Sequence, residues 1–270
     1  MVAIQPCALL LLIGPDWRIE AISANAAMLG DHRPSELIGQ PLADLIGGQS
    51  VHSLRNRIAW LADGESDVFE FGPQWGDVSL DIRASQAGGS YLIEAELAVE
   101  ARLPDAIGMV RSMSDRLGGD DPRSLAGQAM RQMCTLTGFD RFILCDRRGQ
   151  VIAEDGRGKL STVSEHPEIT TGVHLIADRD AEAVPVLGDA PTNAFDRAAY
   201  LAPSDGERDR LTELAVASSM SAPLRIDGER VGVLHAHHGT PRRCGAERRS
   251  VAHLFAERLV ARMARCGWQP

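Results

Sequence analysis

The sequence predicts an α+β fold in two successive domains, and three observations carry that prediction. A hairpin signal near the start is followed by short helical pieces and then by three strand-like runs. From about residue 104 a second pattern begins, with amphipathic helices, antiparallel strand signals and a long closing helix. The 270 residues are enough for two ordinary domains.

In the first pattern, "ALLLLI" and "WRIEAIS" are split by Gly14-Pro15-Asp16, which reads as a hairpin. "SANAAMLG" reads as a helical turn started by Ser23 or Asn25. "PSELIGQPLADLIG" contains short helical pieces punctuated by breakers. Residues 51–62 place Leu54, Ile58 and Leu61 at helical spacing. "DVFEFG", "DVSLDIR" and "SYLIEAELAV" then read as three strands. This order of elements is similar to that of a PAS domain over residues 1–98.

In the second pattern, residues 99–120 hold a connecting helix, "DAIGMVRSMSDRLGG", closed by glycines. "DPRSLAGQAMRQMCTLTGF" follows, with Asp121 as N-cap and Pro122 at the first helical position. "RFILCD", a turn at Arg147-Arg148-Gly149, "VIAED" and "AEAVPVL" read as strands. A helix, "GERDRLTELAVA", leads into "SSMSAPLRI", and Asp227-Gly228 joins that strand to "RVGVLHAHH" as a second hairpin. The last helix, about 244–265, has an apolar stripe of Val251, Leu254, Phe255, Leu259, Val260 and Met263. Residues 121–270 are thus similar in element order to a GAF domain. The stretch 157–191 carries the weakest signals, and a ligand-facing wall is expected there.

Composition excludes some classes. The net charge of −9 argues against a nucleic-acid or anionic-membrane binder. "CALLLLIG" is too short to span a bilayer and lacks the frame of a signal peptide. The five scattered cysteines, without a C-x-x-C, read as reduced thiols of a cytoplasmic protein. Nucleophile elbows, P-loops and Rossmann glycine fingerprints are absent from the sequence.

Four segments carry a more specific resemblance. "AIQPCALLLLI" (Ala3 to Ile13), "LTGFDRFILCD" (Leu136 to Asp146), "LIADRDAEAVPVL" (Leu175 to Leu187) and the long run from "VASSMSAPLRI" through "GVLHAHHGTPRR" resemble the photosensory core of bacteriophytochromes, the bilin-binding red-light receptors. The resemblance covers nearly the whole chain. It implies a PAS–GAF core, with the knotted crossing of that family in reduced form.

The departures from the family are equally specific. A counterpart of the cysteine that carries biliverdin upstream of the IQP segment is not expected, since Met1 to Ala3 stand before Ile4. The second attachment segment reads "APSDGERDRLTELA", with Glu207 or a neighbour in place of histidine and no cysteine. "KLSTVSEHPEI" replaces the motif that holds the pyrroles, and a PHY or kinase domain is not expected. Covalent attachment and ordinary photochemistry are therefore not expected.

The candidate site is the histidine cluster of "GVLHAHHGTPRR". On a strand, positions i and i+2 share a face about 6.5–7 Å apart. His235 and His237 therefore face one way and His238 the other. By resemblance, His237 matches the family histidine that faces the bilin. Two imidazoles on a pocket floor suit a tetrapyrrole: haem iron through His237 or His235, or biliverdin, in either case non-covalently. Local hydrogen bonding by these histidines, with no cofactor, is the other reading. Glu207, Ser219 and His174 are candidate pocket lining. A zinc site would need His174 or His166 as a third ligand. Glu165 to Glu168 could set acid beside imidazole.

The expected function is a sensory or regulatory protein that binds haem or biliverdin, forms a homodimer through the helices near 105–118 and 244–265, and acts through a protein partner. A chromophore-free dimeric adaptor and a haem-degrading enzyme with a histidine axial ligand are the alternatives.

Overall fold

The computed structural model describes residues 2–29, 33–59, 67–75, 77–99, 102–156 and 172–269. The chain forms two compact units. The first is Met1–Glu100 together with Ala181–Ala202, and the second is Ala101–Asp180 together with Pro203–Pro270.

The first unit opens with β1 (Ala3–Ile4), β2 (Ala8–Ile13) and β3 (Ile19–Ser23), followed by a 3-10 turn at Ala24–Leu29. Short helices α1 (Pro34–Leu37) and α2 (Leu42–Ile46) and the longer α3 (Gly48–Ile58) lead into β4 (Asp67–Trp75), β5 (Val78–Ala87) and β6 (Ser90–Leu97). These match the expected hairpin, helical pieces and three strands. The sheet has one further member from far along the chain. Val184–Gly188 pairs with both β1 and β3, giving the order β1, Val184–Gly188, β3, β2, β6, β5, β4.

This is a correction to the sequence reading, which set "AEAVPVL" among the strands of the second domain. The division between domains is not contiguous, because residues 181–202 belong to the first unit. The insertion also explains why β2 is apolar on both faces. Leu9, Leu11 and Ile13 enter the core under α2 and α3 with Leu42, Ile46 and Leu54. Leu10 and Leu12 instead pack with Ala194, Phe195 and Ala198 of the inserted segment. A strand covered on both sides loses its alternation of apolar and polar residues.

The second unit begins with α4 (Ala106–Asp115), whose N-cap Asp105 accepts from Gly108 N. α5 (Pro122–Thr137) follows. Asp121 caps it by accepting from Ser124 N, Pro122 takes the first turn, and Gly138 ends it at φ 71°. Then come β7 (Arg141–Asp146), β8 (Val151–Gly156) and β9 (His174–Ile176). With the inserted strand counted as β10, the chain continues through α6 (Asp205–Glu213), β11 (Ser218–Ile226), β12 (Glu229–His238) and α7 (Ala246–Arg265). The β11–β12 turn has Asp227 and Gly228 at φ 52° and 85°, the positive values that a tight hairpin favours. The sheet order is β8-β7-β12-β11-β9.

One face of this sheet is apolar: Phe142, Leu144, Met220, Ala222, Leu234 and Ala236 are all buried. α7 packs over β11, and Phe255 and Leu259 are among its buried residues. Leu254, placed by sequence in the buried stripe, is instead 47% exposed.

Candidate functional site

The opposite face of the same sheet carries a cluster of polar side chains. In an antiparallel ladder, directly paired residues point to the same side. β12 pairs His235 with Ile143 and His237 with Arg141 on one flank, and with Ser221 and Ser219 on the other. β11 in turn sets Ser221 against His174 and Ser219 against Ile176. His174, Ser219, Ser221, His235, His237 and Arg141 therefore share one face across four strands. Ser219, Ser221 and His174 are half-buried, whereas His235 and His237 are 6% and 4% exposed. The two rings stand 6.4 Å apart between centroids, tilted by 46°.

His237 is held from the side. The Arg141 guanidinium donates to its Nδ1 at 2.9 Å. Arg141 is itself 4% exposed and donates through Nη1 to Glu154 Oε1 at 3.1 Å. Neither Arg141 nor Ser221 was singled out from sequence. Ser221 was findable as the i+2 neighbour of Ser219. Arg141 was not, because its role exists only once β7 lies beside β12.

His238 points the other way, as expected. Its Nδ1 lies 2.8 Å from Asp140 Oδ2, and its ring meets Phe139 edge to face at 6.2 Å. Burial pushes its pKa below the ordinary value, against the pull of Asp140.

Glu207 lies at the margin of this face. Leu211 of α6 packs with Ile176 and Val216, which sets the helix beside β9. Glu207 forms a capping box: its Oε2 accepts from Ser204 N at 2.9 Å and from Ser204 Oγ at 2.8 Å. Its other oxygen, Oε1, is 3.9 Å from His174 Nδ1. The helix start thus uses most of Glu207, and only one oxygen looks toward His174 on β9. His166 and the Glu165-to-Glu168 segment lie outside the described residues. Among the described residues, no group of three or more His, Cys, Asp or Glu side chains converges as a metal site would require.

Cys145 sits two positions along β7 from Ile143, paired with Val233. It is fully buried, and burial, with the carboxylates of Asp146 and Glu154, pushes its thiol up to about 12. The thiolate is the reactive form of cysteine, so this side chain is chemically quiet.

The comparisons with known proteins agree with this architecture. The GAF domain family model matches residues 121–263, more than half of the chain, and a PAS fold model matches residues 2–98. The phytochrome-like protein Cph1 of Synechocystis is 25% identical over 287 residues, which is 93% of this chain but only 38% of that protein. The chromophore-binding domain of bacteriophytochrome RpBphP3 from R. palustris superposes with a TM-score of 0.77 at 21% identity, covering 98% of this chain and 95% of that one. The chromophore-binding domain of Stigmatella aurantiaca phytochrome P1 gives 0.79 at 21% identity, covering 96% and 95%. The chain belongs to the GAF domain family and, with its PAS-fold unit, is a phytochrome-like PAS–GAF protein.

Proposed function

We propose that the second unit holds a linear tetrapyrrole such as biliverdin, non-covalently, against the face that carries His235 and His237. The observation that supports this most is the chemistry of that face. Two buried imidazoles, two serine hydroxyls and a third imidazole lie together on one face of the sheet, opposite buried apolar residues such as Phe142, Met220 and Leu234. A linear tetrapyrrole offers pyrrole N–H donors and terminal carbonyl acceptors, and imidazoles and hydroxyls can answer both. When bound, its conjugated system supplies visible absorption; the chain's own residues bind and orient it. The likeness to chromophore-binding domains supports the same reading.

Non-covalent retention is supported by Cys145, the cysteine on the histidine side of β7, whose thiol is held protonated. The complex with biliverdin, denatured in acidic urea and passed through a desalting column, is expected to lose its pigment to the small-molecule fraction. Pigment that stays with the polypeptide would contradict non-covalent binding.

The protein acts, on this reading, as a sensory or regulatory component through a protein partner, and it pairs with a second copy of itself. Pairing is supported by Ile107 of α4 and Leu254 of α7, which are 67% and 47% exposed on helices that pack together. Light scattering on the wild type is expected to give a dimer mass, and the Ile107→Glu/Leu254→Glu variant a monomer mass. A monomeric wild type would overturn it. Among the described residues no helix is long and apolar enough to cross a membrane.

A further inference from the structure

Arginine has five N–H donors and no acceptor. In the 2.9 Å contact between Arg141 Nη2 and His237 Nδ1, the ring nitrogen must therefore accept. A neutral imidazole carries one proton, so that proton sits on Nε2. Two features hold Arg141 in this role. It stands directly opposite His237 in the β7–β12 ladder, and its Nη1 is anchored on Glu154 Oε1 at 3.1 Å.

This arrangement has the wrong polarity for a metal. A neutral histidine that ligates through Nε2 offers the lone pair of that nitrogen and keeps its proton on Nδ1, donated to a carboxylate, carbonyl or water. Here Nδ1 faces a donor. Ligation through Nε2 would require breaking the Arg141 contact or removing the last ring proton.

We propose that Arg141, anchored on Glu154, is a specificity-determining residue: it fixes the ring proton of His237 on Nε2, so that this face refuses ligation of haem iron through His237. The ligand class rests on the tetrapyrrole reading above; the tautomer is a property of the ligand-free protein. This narrows the sequence expectation that His237 serves haem iron.

The test has two independent arms. In the first, long-range 15N–1H correlation spectra of histidine-labelled, ligand-free protein report the tautomer of His237, assigned by its loss in His237→Ala. Wild type and Arg141→Lys, which both present a donor, are expected to show the Nε2–H form. Arg141→Gln, whose amide carbonyl can accept from Nδ1–H, is expected to shift the ring toward the other tautomer. In the second arm, haemin is titrated and the Soret band followed. Arg141→Gln is expected to bind haemin at least tenfold more tightly than wild type, with the gain lost in Arg141→Gln/His237→Ala and absent in Arg141→Lys. An Nδ1–H tautomer in wild type overturns the proposal. So does haemin ligation through His237 that is as strong with Arg141 as without it. If Arg141→Gln fails to fold, wild type and Arg141→Lys decide the matter through both readouts. Failure to bind biliverdin would count against the tetrapyrrole reading and leave the tautomer result standing.

Discussion

Arg83→Met is expected to destabilise the first unit by about 3–5 kcal/mol, the usual cost of removing one partner from a buried ion pair. Arg83 is 6% exposed and sits among three other charges, Asp67, Glu94 and Arg197. Its Nη2 and Nε bind Asp67 Oδ2 at 2.8 and 3.0 Å, and its Nη1 binds Glu94, the residue opposite it on β6. Nη1 also donates to the Arg197 carbonyl at 2.9 Å, while Arg197 Nη2 reaches Asp67 Oδ1 at 2.9 Å. Glu94 Oε1 in turn accepts from the backbone N–H of Ala199 and Tyr200, at 2.7 and 3.1 Å. The cluster therefore fastens the inserted segment to β5 and β6. Methionine fills the volume but leaves the buried Glu94 carboxylate without its cation and Asp67 with Arg197 alone. Urea unfolding with hydrogen exchange at the Ala199 and Tyr200 amides checks this. Both amides should lose protection, and Arg83→Met/Glu94→Gln should recover part of the lost stability. Unchanged protection would show that the insertion is held by apolar packing alone.

Gly188→Ala is expected to have an effect of similar size, about 3 kcal/mol. Roughly 1–2 kcal/mol comes from a positive backbone φ that L-residues resist, and the rest from overpacking. Gly188 ends β10 at φ 115°, and a Cβ there would lie 2.3 Å from the Glu20 carbonyl oxygen and 2.8 Å from Ala21 Cα. Both are backbone atoms of the strand that β10 pairs with, so relief requires β10 to part from β3. The expected result is a lower midpoint of thermal unfolding and faster exchange at the β3 and β10 amides. A variant as stable as wild type would contradict the close approach.

Much of the architecture was legible in the sequence because local rules decide it. Asp121-Pro122 with Gly138 marks both ends of α5, and Asp227-Gly228 marks the hairpin that carries the histidines. The facing of His235 and His237 follows from strand period alone, and the ladder pairing agrees. What was not legible depends on pairing between distant segments. The destination of "AEAVPVL" is set by β1 and β3, roughly 160 to 180 residues earlier in the chain, and nothing in its own seven residues names a sheet. Leu254 fits the apolar period of α7, and only the packing shows that its side is left open. Glu207 could not be assigned from its position, because Ser204 three residues before it makes it a capping residue first. Arg141 looked like the start of a strand, and its meaning comes from the imidazole across the ladder.

The central claim is that the His235–His237 face binds a linear tetrapyrrole, and absorbance during titration with biliverdin tests it most directly. The wild type is expected to develop a saturable band in the red, shifted from that of free pigment. His237→Ala should weaken binding roughly tenfold or more, the cost of a lost hydrogen bond of about 1–3 kcal/mol. A spectrum and a melting temperature that biliverdin leaves unchanged in the wild type would contradict the claim.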